Sequence, residues 1–143
     1  MKYIGLVLSS IIIFIIVLSN LYYNSITLDM KNMKDYIAES NIILSDVIEK
    51  EDSVMENKDE YITRILTIKK GLKSCKTSFL VKTYKEYKLK SLDNLIYSIS
   101  EWEDNQVYLR EVEKYDKLGE EELDRLINKN IIEVTYLSIK TYI

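Results

Sequence analysis

The sequence has no proline and no histidine, one cysteine, and three glycines, Gly5, Gly71 and Gly119. Each shortage excludes something. With so few turn formers, the chain points to helices joined by short polar breaks. Without histidine, a serine or cysteine nucleophile lacks its usual base, and the Glu-x-x-His pairs of bundle metal centres cannot be assembled. A lone Cys75 allows no internal disulfide and no thiolate metal cage. Neither a Gly-rich phosphate loop nor a calcium loop with its central glycine is present. These absences predict a non-enzymatic protein without metal or cofactor. Glu101, Glu103 and Asp104 are close enough in sequence to pair as acid and base, but a solvated turn accounts for them.

The balance of 20 basic against 23 acidic residues has no strong sign, so nucleic acid is not an expected partner. The long apolar run at the start is a far stronger signal. Ile4, Leu6, Val7, Leu8, Ile11, Ile12, Ile13, Phe14, Ile15, Ile16, Val17 and Leu18 follow one another with nothing ionisable between them. Tyr22 and Tyr23 come next, rings suited to a membrane–water boundary. With Tyr3 and Leu21 counted, the stretch reaches the roughly 17–25 residues that cross a bilayer as a helix. Residues 1–23 therefore read as a transmembrane signal anchor. A cleaved signal peptide is the alternative, with Val17-Leu18-Ser19 a poor small-x-small site and cleavage near Ser19. Lys2 and the amine face Lys31 and Lys34 across the span, which leans towards the bulk of the chain lying outside the cell membrane.

Beyond the span, residues 24–130 read as an antiparallel bundle, and the fold class as all-α with three to five helices after the anchor. Ile26, Met30, Met33, Ile37, Ser40, Leu44, Val47, Glu51 and Val54 alternate steps of four and three, the seam of a helix packed along a partner. That predicts a helix from Leu28 to Glu56, with nothing to break it from the span. Residues 56–60 read as a turn, with Asp59 as a cap. The seam Tyr61, Ile65, Ile68, Leu72, Cys75, Phe79 predicts a second helix ending between Lys82 and Tyr87, with Cys75 a buried packing residue. Leu92, Leu95, Ile99 and Trp102 mark a third, capped by Ser91 or begun a turn earlier. Tyr108, Val112, Tyr115 and Leu118 mark a fourth, closed by Gly119 as a left-handed terminus. Glu120, Glu121 and Glu122 would then open a short helix. The tail, residues 131–143, is β-branched and aromatic, yet Ile132, Tyr136, Ile139 and Ile143 keep helical spacing; helix is favoured over strand.

Charge is segregated. Residues 46–60 hold seven acids against two lysines, residues 69–90 hold eight lysines against Glu86, and residues 101–124 hold ten acids against three bases. Lys69, Lys73 and Lys76 fall on one helical face, a basic surface open to an anionic partner such as lipid headgroups or a wall polymer. The structural reading is favoured: a basic second helix between acidic neighbours fixes their pairing.

Ile48-Glu49-Lys50-Glu51-Asp52, Phe79-Leu80-Val81 and Ser91-Leu92-Asp93-Asn94-Leu95 resemble a turn, an apolar triplet and a Ser-Leu-x-x-Leu segment of a known family. It comprises short signal-anchored helical proteins of Gram-positive bacteria, classed as domain of unknown function 4363. That family typically shows a Trp after its first turn, another in its second helix, and an Asp-His pair after the triplet. Here Ser53 follows the turn, and Lys82 and Thr83 follow the triplet. The resemblance implies membrane location and helical architecture, and no activity. The expected function is a single-pass, membrane-anchored interaction module or accessory subunit at the outer face of the cell membrane. Its expected partners are the lipid bilayer and a membrane protein or a second copy. An extracytoplasmic ligand-sensing domain and a secreted helical protein are the alternatives.

Overall fold

In the computed structural model the backbone is described for residues 2–142 and the side chains for residues 7–142, so the side chains of Ile4 and Leu6 lie outside the described residues, as does Ile143. The described chain is helical throughout, with no strand. Its helices are α1 (Lys2–Glu49), α2 (Glu51–Glu56), α3 (Lys58–Ser74), α4 (Lys82–Ser100), α5 (Asn105–Ile127) and α6 (Ile131–Tyr142). Single 3-10 turns at Phe79–Val81 and Trp102–Asp104 open α4 and α5. The tail is a helix, as its spacing favours.

Cross-helix pairs give the directions. Arg64 bonds Glu39 and Tyr61 bonds Asp46, so α3 descends as α1 rises. Lys69 with Asp93, and Lys58 with the Ser100 carbonyl, set α4 antiparallel to α3. Lys88 with Asp116, and the ring pairs Tyr87–Tyr115 and Tyr97–Tyr108, set α5 antiparallel to α4. Behind these polar pairs lies one continuous core. Ile26, Met33, Ile43, Val47, Ile65, Leu72, Leu95, Ile99 and Val112 are all buried in it. The element boundary at residue 23 does not exist: α1 runs unbroken for 48 residues through the end of the apolar stretch into this core.

Several turns differ from the sequence reading, for a common reason. No described residue has a positive φ. The chain turns instead at Lys50 (φ −130°, ψ 48°) and Asn57 (φ −116°, ψ 31°), conformations that need neither glycine nor proline and so leave no mark in the sequence. Asp59 is accordingly not a cap but part of the first turn of α3, whose N-cap is Asn57. Lys50 donates to Asp46 (2.7 Å), which holds the Asp46 carboxyl below the usual carboxylate range. The α3–α4 break comes earlier than expected. α3 ends at Ser74, and Lys82 and Tyr87 belong to the start of α4. Ser78 makes that break: its hydroxyl accepts from the Leu80 amide (3.3 Å) and donates to the buried Asp29 of α1 (2.6 Å). Ser91 is consequently not a cap but a buried residue within α4.

Gly119 is a further correction. It lies inside α5, which continues to Ile127, so Glu120, Glu121 and Glu122 do not open a new helix. Gly119 is there for packing: a Cβ at that position would sit 3.5 Å from the ring of Tyr84. Gly71 is used the same way, since a Cβ there would run into the ring of Tyr36. Tyr84 itself is buried, and its phenol is pushed up to about 12 by that burial and by the charges of Asp116 and Glu120. Below pH 10 the phenol is neutral both folded and unfolded. Above it the unfolded chain ionises first, so stability declines up to the folded value. Tyr84→Phe is expected to remove about 2–3 kcal/mol of that alkaline loss. Denaturant melts of the two chains at pH 8 and pH 11.5 check it.

Candidate functional site

Two features of this fold have surfaces that the bundle itself does not use. The first is the lower end of α1. Every described side chain from Val7 to Phe14 is exposed, Ile15 and Ser19 are half-buried, and Leu18 and Tyr22 are buried. Val7, Leu8, Ile11, Ile12, Ile13, Phe14, Ile16 and Val17 together present large apolar groups on all sides. Among the described residues, α1 is the one helix long and apolar enough to cross a membrane by length and composition. Where this stretch meets the bundle it is fastened by backbone acceptors. Tyr22 donates to the Leu126 carbonyl (2.8 Å) and Tyr23 to that of Ile127 (3.3 Å), while Ser138 donates to the Leu18 carbonyl (2.7 Å). The tyrosines sit in the boundary position expected of them, but their hydroxyls serve the end of α5.

The second feature is a cleft of about 720 Å³ between the upper part of α1 and α5. Leu44, Val47, Ile48, Leu109 and Val112 give it an apolar floor, and Glu51, Arg110, Glu113, Asp116, Lys117 and Glu120 a charged rim. Its upper end is closed by Trp102, whose indole donates to Glu51 (2.9 Å). Ile48 is exposed along it and Val107 stands exposed beyond it. Charges of both signs on the rim, above aliphatic side chains, suit a protein surface better than a polyanion. No sequence signal marks this cleft, because its walls come from segments some sixty residues apart that are joined only by the fold.

The expected basic face is not assembled. Because α3 ends at Ser74, Lys76 lies beyond the helix and off the face that carries Lys69 and Lys73. Lys69 is engaged with Asp93 of α4. This placement supports the structural reading of the lysine-rich segment, in which basic residues fix neighbouring helices. Cys75 is half-buried against the core, and its thiol donates to the Asn32 carbonyl (3.3 Å). Glu101 accepts from Tyr108 (2.6 Å), while Glu103 and Asp104 fall in the exposed turn before α5. The buried Asp29–Ser78 latch was missed by sequence reasoning; a lone Asp between Leu28 and Met30, one step before an apolar seam position, was its only signal.

No family model, no curated protein and no solved structure matches this chain. The functional reading therefore rests on the geometry above.

Proposed function

We propose that the protein is a non-enzymatic, membrane-anchored helical module that holds a partner protein at the outer face of the cell membrane. The observation that carries this is the continuity of α1. One helix supplies both the bare apolar stretch and the central rod of the bundle, with no hinge between them. An apolar stretch of that kind is expensive to leave in water and cheap to place in lipid. Cleavage near Ser19 would cut α1 inside its packed section, beside Leu18 and Tyr22, which favours an anchor that is retained. The α1–α5 cleft is the surface offered to the partner.

Membrane association should resist carbonate extraction, and purification in mild detergent should recover a stoichiometric partner. That partner should crosslink to a photoreactive side chain placed at Ile48. A mature chain beginning at Asn20 and free in the culture fluid would overturn the anchor. A clean monomer that takes a small molecule into the cleft would favour a second reading, the extracytoplasmic ligand sensor, which the volume of the cleft allows.

A further inference from the structure

The apolar stretch of α1 is too short to cross a bilayer on the part left bare. Even with residues 2–6 counted as helix, the section ahead of Ile15 rises only about 20 Å, against a hydrocarbon layer of roughly 30 Å. The missing length falls where α6 packs. Ser138 pairs with Leu18 and Tyr142 with Leu21, so α6 climbs beside α1 in the same direction. Its inner face is used up against α1, with Val134 and Ser138 fully covered. Its outer face is not: Ile132 is 80% exposed, Tyr136 66% and Ile131 62%, with Ile139 and Tyr142 continuing the patch.

A helix that is apolar on every side belongs in a core or in lipid. α6 carries two charged residues, both near its ends and both occupied. Glu133 takes Lys129 (3.6 Å) and the Asn130 amide (3.3 Å), and Lys140 reaches over the ring of Phe79 (5.2 Å). Tyr136 and Tyr142 are the amphipathic rings that an interfacial position favours.

We infer that the outer face of α6 lies against the same bilayer that α1 enters, so that two helices, not one, meet the lipid. α6 makes up the thickness that bare α1 lacks and sets the depth at which the bundle stops. This rests on the reading of α1 as an anchor, and the test separates the two.

A Cys75→Ser chain carrying a single new cysteine at Ile12, Ile132 or Val107 is labelled with an environment-sensitive fluorophore. The full chain is then reconstituted in phosphatidylcholine–phosphatidylglycerol vesicles containing nitroxide lipid. Labels at 12 and 132 are expected to be quenched several-fold more than the label at 107. Quenching at 12 with a water-like signal at 132 would overturn the α6 assignment and leave the anchor standing. A label at 132 that is shielded from water yet untouched by nitroxide lipid would also overturn it, in favour of a protein neighbour such as a second copy. A water-like signal at 12 would remove the anchor and this inference together.

Discussion

Chains carrying Ile12→Asp and Ile16→Asp together are expected to leave the membrane pellet and remain in the supernatant, with the bundle folded. Both side chains are on the bare part of α1 and more than half exposed, so neither supports the core. A carboxylate in the middle of a span opposes insertion by roughly 2.5–3.5 kcal/mol, so the pair costs about 5–7 kcal/mol, on the order of 10⁴-fold or more in partition. Ile12→Ala with Ile16→Ala is the control and should stay in the membrane, because it removes bulk without adding charge. Ultracentrifugation after carbonate treatment reads the location, and circular dichroism reads the fold. A double-Asp chain that still sedimented with membranes would place the attachment elsewhere.

Ile65→Ala is expected to destabilise the bundle by about 2–5 kcal/mol. Ile65 is 0% exposed in α3, the helix that packs on both α1 and α4, so the lost methylenes leave a void that neither neighbour can close without moving the other. Against a total stability of about 5–15 kcal/mol for a domain, that is a large share. Leu66→Ala supplies the contrast. Leu66 is the next residue on the same helix and is half exposed, so its truncation should shift stability by about 0.5 kcal/mol or less. Equal effects at the two positions, in denaturant melts of the detergent-solubilised chain, would show that the core is not where α3 places it.

Sequence periodicity located the helices because it reports which residues are buried together. Ile65, Ile68 and Leu72, and likewise Leu92, Leu95 and Ile99, lie on the core faces their spacing predicts. It located the ends poorly, because these turns are made by ordinary residues at ordinary φ angles. Phe79 continues the count from Leu72 but lies past the end of α3, where it is 41% exposed. In α4 the seam starts earlier than its apolar residues show, since Lys88 and Ser91 occupy buried positions. Lys88 is accepted there because Asp116 of α5 meets it at 2.8 Å, a pairing that no local pattern announces. Gly119 misled for a related reason: glycine signals a terminus when its backbone freedom is needed, and here only its small size is used. The cleft and the latch at Asp29 depend on distant segments meeting, which periodicity along one helix cannot express.

The unbroken course of α1 has a geometric consequence. From Leu18 to the top of the helix at Glu49 the rise is about 45 Å, at the usual advance per residue. With the foot of the rod held in lipid, the cleft opens sideways at a set altitude above the headgroups. A partner must then be tall enough to reach that level, and properly turned, before any side chain is read. Height becomes a first filter on who can bind, ahead of chemistry.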